Sequence, residues 1–237
     1  MRRIIADYLA LSKARLCTMV LITTTVGYVV ARPAAPIDWP LVWTLLGTAL
    51  TAFGANALNQ LLEKERDAKM ERTRLRPLPT GRISDRAALV FGIGTALAGT
   101  LILATLVGWL PATWAGGTFL VYVLVYTPLK ARTPLNTVVG AVCGAIPPMM
   151  GWTAASGHLE LGAWILGGIL FIWQVPHFLA LAWMYREDYA RGGFRMMPAA
   201  DPDGSATGRA AFVHALALLP ITGALAAAGV TGMTYLV

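Results

Sequence analysis

Asn59, Glu63 and Asp67 are spaced four residues apart at the end of an apolar run, in NQLLEKERDAKMERTRLRPLPTGR. On an α-helix, positions i, i+4 and i+8 lie on one face, about 6 Å apart per step. The spacing predicts a stripe of one amide and two carboxylates. Mg²⁺ suits such hard oxygen donors, taking one or two carboxylates and leaving other positions to water and substrate phosphates. Arg72, Arg74, Arg76 and Arg82 follow. A guanidinium fork holds two phosphate oxygens at once. Charge beside an apolar run is costly and points to function. The chemistry is Mg²⁺-assisted handling of a diphosphate. The competing reading is a charged loop whose arginines only set topology. Glu65 and Glu71 fall off the stripe.

A second acidic and basic cluster occurs in HFLALAWMYREDYARGGFRMMPAADPDG. Glu187 and Asp188 are adjacent, flanked by Arg186, Arg191 and Arg195, and Gly192-Gly193 make the loop pliable. Two such clusters on one side could clamp a diphosphate and its metal. Lys130 and Arg132, in YTPLKARTPLN, are further cationic candidates. His177 follows Pro176 inside an apolar run; it could bond a freed carbonyl, polarise a substrate or ligate a metal. His158 and His214 read as incidental. No P-loop, Rossmann fingerprint or Ser-His-Asp arrangement is present.

These residues must be held by apolar elements. The 237 residues are 57% hydrophobic and 13% charged, with mean hydropathy +0.61; a soluble domain carries about 25% charged residues. The class is an all-α, polytopic integral membrane protein. Cys17 and Cys143 lie far apart in apolar runs, which excludes a disulfide framework and a zinc site. Seven apolar segments are expected, near Leu16–Ala31, Trp39–Leu62, Ala87–Leu110, Ala112–Leu129, Leu135–Ser156, Leu161–Tyr185 and Ala210–Val230. The basic and then apolar start, MRRIIADYLALSKARL, reads as a retained first helix.

With the N-terminus cytoplasmic, residues 1–15, 63–86, 130–134 and 186–209 lie inside and hold every Lys and Arg except Arg32. That asymmetry accounts for the net charge of +7 without nucleic acid. Pro147-Pro148 and Pro176 interrupt apolar segments and predict kinks. Gly140, Gly144 and Gly151 permit close helix contact.

The N-x-x-x-E-x-x-x-D stripe, the second acidic motif and the many membrane segments resemble the UbiA superfamily of intramembrane prenyltransferases. LSKARL, ALNQLLEKERDAKMERTRLRPLPTGRIS, YTPLKARTPLNTVVGAVCGAIPPMMGWTAASG and WQVPHFLALAWMYREDYARGGFRMMP are similar, more narrowly, to its heme O synthase branch. That resemblance implies farnesyl transfer from farnesyl diphosphate to a vinyl group of heme B, giving heme O for terminal oxidases. It implies Mg²⁺ on Asn59, Glu63, Asp67 and Asp188, with Glu187 beside Asp188 holding or orienting a second ion or the diphosphate. Arg72, Arg74, Arg76, Lys130, Arg186 and Arg195 would contact phosphate oxygens. His177 would position a water or contact heme. Trp152, Trp173, Phe178 and Tyr126 are candidates for facing an allylic cation. Implied partners are membrane lipid and heme A synthase or the oxidase assembly apparatus. The site belongs on the cytoplasmic face of a bacterial inner membrane.

The family carries about nine helices. Seven here, ending on GMTYLV without a polar tail, lead us to expect one domain over 1–237 that is shortened at its C-terminus. Ala14 stands where the family shows proline, and Met184 where relatives often carry the first aspartate of the second motif. Two alternatives are a prenyltransferase acting on an aromatic quinone precursor and a transporter or assembly factor. A transporter favours charge near the bilayer midplane, whereas these charges gather at one interface.

Overall fold

The structure, a computed structural model, describes residues 2–33 and 38–232. The loop residues 34–37 and the end of the GMTYLV stretch, 233–237, lie outside the described residues. Every regular element among the described residues is helical. Seven helices are long and apolar enough to cross a membrane. These are α2 (Ala14–Ala31), α3 (Trp39–Leu62), α5 (Asp85–Leu106), α6 (Trp109–Leu129), α7 (Asn136–Ser156), α8 (Leu161–Met184) and α10 (Ser205–Ala227). Shorter helices join them at one end: α1 (Arg2–Leu11), α4 (Lys64–Asp67) and α9 (Arg186–Arg191).

Small residues set the helix spacing, since lipid supplies no hydrophobic drive between helices. Gly54 of α3 faces Gly92 of α5, and Gly151 of α7 faces the Thr24 carbonyl of α2. Gly144 lies against Gln174 of α8 and Gly140 against the Tyr126 ring, so the expected close contacts are present. Pro147, Pro148 and Pro176 sit inside continuous helices, and the carbonyl of Pro148 lies against Gly27. Outward faces stay apolar and exposed, as at Met19 on α2, Leu97 on α5 and Leu219 on α10. The chain is an integral membrane protein.

Two local features depart from the expected segments. The first helix is two, α1 and α2, separated at Ser12-Lys13. Lys13 adopts φ 49° and is the only non-glycine with positive φ among the described residues. Gln60 of α3 holds the break, donating from Nε2 to the carbonyls of Ala10 (3.0 Å) and Leu11 (2.6 Å). In α6, residues Val121–Tyr126 form a π-helical turn. The Thr127 hydroxyl donates to the carbonyl of Tyr122, five residues back, at 2.8 Å. Such wider turns recur at functional sites.

The charged ends converge. Asp7 of α1 meets Arg82, Lys130 after α6 meets Glu63 after α3, and the segment after α8 meets that after α4. At the opposite end, Asp38 caps α3 through Leu41 N–H (3.1 Å) and accepts from Tyr28 Oη (2.6 Å). Arg32 lies 3.5 Å from it. The Tyr28 bond, opposed by burial and aided by Leu41 N–H and Arg32, holds the Asp38 carboxyl below its ordinary range.

Candidate functional site

The backbone makes the Asn59, Glu63 and Asp67 stripe nearly as expected. Glu63 N–H donates to the Asn59 carbonyl (3.0 Å) and Asp67 N–H to that of Glu63 (2.8 Å), so the i+4 rhythm carries on from α3 into α4. The helix breaks only at Glu63, where φ is −97° and ψ 3°. All three side chains are buried.

Each stripe residue meets one cation, and each cation comes from a different part of the chain. Lys13 Nζ donates to Asn59 Oδ1 at 2.8 Å. Lys130 Nζ lies 2.8 Å from Glu63 Oε1 and 3.0 Å from Oε2. Arg76 donates from a guanidinium nitrogen to Asp67 Oδ2 at 2.6 Å. Buried carboxylates demand such partners, since an unpaired buried charge costs several kcal/mol. Thr127 completes the set by accepting from Asn59 Nδ2 at 3.0 Å, which explains the π turn's position. Burial chiefly, then the nearby Arg76 and Lys130 charges, lower the Lys13 ammonium to about 7, against the pull of Glu63 and Asp67. Lys130 is pushed the other way: burial opposes its charge, but Glu63 outweighs it.

The donor set fits a hard divalent cation. Asp67 Oδ1 is buried and accepts no hydrogen bond, and two carboxylates and an amide oxygen stand on one face. Among the described residues, however, no three of His, Cys, Asp and Glu lie close enough to share an ion. Asp188 is not gathered with Glu63 and Asp67.

Asp188 has other partners. Its Oδ1 accepts from Glu71 N–H (2.9 Å) and an Arg191 guanidinium nitrogen (2.7 Å), and its Oδ2 from Arg72 N–H (3.3 Å). Burial raises its pKa, but Arg191 and the two amides outweigh that and hold the carboxyl below its ordinary range. Arg72 stacks over Tyr185 and Tyr189, at 5.1 and 5.9 Å from the ring centres. A cleft of about 340 Å³ lies here, lined by Glu71, Arg72, Tyr185, Glu187, Asp188 and Arg191 among others.

The remaining candidates scatter. Glu187, Arg74 and Arg195 are exposed. Arg186 folds back on its own helix end, donating to the Trp183 carbonyl at 3.2 Å and covering the Trp183 ring. His177 is exposed on α8, its ring stacked on Trp173 at 5.1 Å, with no side-chain hydrogen bond among the described residues. Trp152 donates to Glu160 at 3.0 Å at the far end, Trp173 points outward, and Phe178 packs beside Val175 and Leu179. Of the aromatic candidates, Tyr126 lies beside the stripe, with Lys130 Nζ 5.5 Å from its ring centre.

Sequence reasoning missed Lys13, Thr127, Arg66 and Phe194. A lysine at the junction of a polar start and an apolar run was the available signal for Lys13; Thr127 offered none.

A family model described as the UbiA prenyltransferase family matches residues 20–237. The chain belongs to the UbiA prenyltransferase family. Among UbiA relatives, a protein from Solibacter usitatus named protoheme IX farnesyltransferase is 43% identical, over 98% of this chain and 82% of its own length. The mitochondrial protoheme IX farnesyltransferase of Homo sapiens is 46% identical over 95% of this chain and 50% of its own. The UbiA fold is matched by solved structures. A digeranylgeranylglyceryl phosphate synthase superposes with TM-score 0.82 over 100% of this chain and 82% of that one, at 16% identity. A UbiA homolog from Archaeoglobus fulgidus, bound to GPP and Mg²⁺, gives 0.76 over 92% and 77%, at 17% identity. The chain is thus a membrane-embedded prenyltransferase.

Proposed function

We propose that the chain transfers a farnesyl group from farnesyl diphosphate to a vinyl group of protoheme IX, giving heme O. The acceptor half rests on the relatives that carry that name at 43% and 46% identity. The diphosphate half rests on one observation: Lys13, Lys130 and Arg76 each meet one member of the Asn59, Glu63 and Asp67 stripe.

Asn59, Glu63 and Asp67 would hold Mg²⁺. When bound, the ion would neutralise charge that develops on the departing diphosphate. Lys13, Lys130, Arg76 and Arg72 would contact phosphate oxygens. The farnesyl C1–O bond breaks and its electron pair leaves with the diphosphate. The vinyl π pair bonds to C1, and the inner vinyl carbon takes hydroxyl from water, whose proton is released. Cations held beside the leaving group would stabilise the negative charge that develops on it. The membrane would be the bacterial inner membrane, with the charged end cytoplasmic by its lysines and arginines.

The test is product formation by membranes containing the chain, given farnesyl diphosphate, Mg²⁺ and either heme B or 4-hydroxybenzoate. Heme O is expected from the first alone; prenylated 4-hydroxybenzoate instead would move the assignment to a quinone precursor. Asp67→Asn should cut turnover by roughly 10²-fold. Unchanged turnover would remove the metal role from Asp67.

A further inference from the structure

A groove of about 550 Å³ opens between α1 and the charged end of α5, lined by Tyr8, Ser84, Arg86, Ala87, Val90 and Phe91. None of these residues belongs to the diphosphate site. Helix α1 is held against the groove from three directions. The Tyr8 ring lies 5.0 Å from that of Phe91. Arg82 Nε donates to Asp7 Oδ1 at 2.9 Å, and Gln60 ties down the carbonyls of Ala10 and Leu11. So held, α1 turns Ile4, Ile5 and Leu9 outward, each at least half exposed. A short helix with an apolar outer face and basic residues beside it belongs at the boundary of headgroups and acyl chains.

The groove is polar at one end and apolar at the other. Arg86 and Val90 stand one turn apart on the same face of α5, so a cation lies above a hydrocarbon wall. The neighbouring cations are taken: Arg82 by Asp7, and Lys64 by Asp85 at 2.7 Å. Arg86 is exposed and meets no carboxylate among the described residues. The Ser84 hydroxyl accepts Ala87 N–H at 3.2 Å, and among the described residues its own proton is donated to nothing. A guanidinium fork and a hydroxyl donor above apolar side chains match a phosphate that carries hydrocarbon. A basic pocket beside a membrane helix at the lysine- and arginine-rich end also complements anionic headgroups in charge.

We propose that this groove binds one anionic glycerophospholipid, with its phosphate on Arg86 and Ser84 and an acyl chain along Tyr8, Val90 and Phe91. Bound there, the lipid bridges α1 and α5. This site goes beyond the farnesyl-transfer reading and does not depend on it.

The full chain in detergent is titrated with dioleoylphosphatidylglycerol, and bound lipid is counted by native mass spectrometry. One retained lipid is expected. Arg86→Gln should weaken its binding roughly tenfold, the loss of one hydrogen bond to a charged group. Ala87→Leu keeps the arginine but fills the half-buried floor of the groove, and should weaken binding by roughly tenfold or more. Arg209→Gln removes another exposed arginine, at the start of α10 and outside the groove, and should bind as the wild type does. Dioleoylphosphatidylcholine, with the same chains and no net charge, should bind roughly tenfold more weakly. Unchanged affinity in Arg86→Gln or in Ala87→Leu overturns the site; if Ala87→Leu does not fold, Arg86→Gln decides alone. Equal losses in Arg86→Gln and Arg209→Gln, or equal binding of the two lipids, would replace the site with unlocalised attraction. Displacement of the lipid by excess inorganic phosphate would reduce the groove to a phosphate contact, and displacement by farnesyl diphosphate would make it a substrate groove. Either result ends the lipid assignment.

Discussion

Lys13 Nζ lies 2.8 Å from Asn59 Oδ1, and Lys13 reaches it from a left-handed backbone at φ 49°. That conformation costs a non-glycine residue about 1–2 kcal/mol. It persists because Gln60 pins the carbonyls just before it. Strain kept where a cation meets a candidate ligand fits a residue selected for chemistry.

Lys13→Met should therefore separate activity from stability. Removing the ammonium loses one charged hydrogen bond but also ends the burial of a charge, so unfolding should shift by no more than about 1 kcal/mol. Turnover should fall at least roughly tenfold, the effect of losing one cation from the leaving-group cradle. Thermal unfolding and heme O assays on the same preparation check both.

Thr127 bridges Asn59 Nδ2 and the Tyr122 carbonyl. Thr127→Val keeps the shape and the backbone bond from residue 127 N–H to the Tyr122 carbonyl, but leaves the buried Asn59 Nδ2 without its hydroxyl partner, at a cost of about 1–3 kcal/mol. Thr127→Ser should restore stability and activity, because only the hydroxyl is needed. A valine variant as stable and active as wild type would contradict this.

Glycines on one helix differ from those on another by what they face. Gly151 lies against the Thr24 carbonyl, whereas Gly94 and Gly117 have open space where a methyl would go. Gly151→Ala should force α2 and α7 apart and cost about 1–3 kcal/mol or more. Gly94→Ala should be neutral or stabilising by up to about 1 kcal/mol, as expected in a helix interior. Comparing their unfolding midpoints in one detergent tests the helix spacing.

The Asp38 clamp gives a pH dependence. Its folded pKa lies below the unfolded value, so the ionised form is favoured by folding. The stabilisation is complete above an unfolded pKa of about 3.9 and is lost as pH falls through the folded value. Acidification from pH 5 should lower the unfolding temperature less in Asp38→Asn than in the wild type, because that variant has already lost the carboxylate. At neutral pH the variant should be weaker by about 1 kcal/mol, because asparagine still caps the helix but lacks the charge that strengthens the Tyr28 bond and attracts Arg32.

The seven long helices and the Asn59, Glu63 and Asp67 stripe were legible because both depend on local periodicity. Hydropathy runs report spans, and i+4 spacing reports a face. Their partners were not legible, because Lys13 is 46 residues from Asn59 and Lys130 is 67 from Glu63. Such pairings are decided by how helices pack. Asp188 shows the same limit from the other side. Its neighbours in sequence suggest a second acidic cluster, yet the fold turns its oxygens to the amides of Glu71 and Arg72. His177 looked chemical because a polar ring in an apolar run is unusual, but the helix turns it outward against Trp173.

The wide turn at Val121–Tyr126 acts as a phase shift in α6. A residue advances an ordinary helix by about 100°, so one extra residue in a turn re-aims everything downstream by a comparable angle. Thr127 and Lys130 face the stripe in that shifted frame. Deleting a single residue from 121–126 would leave the apolar span intact and swing Lys130 away from Glu63. The distance between catalysis and an inert membrane helix is here one residue of register.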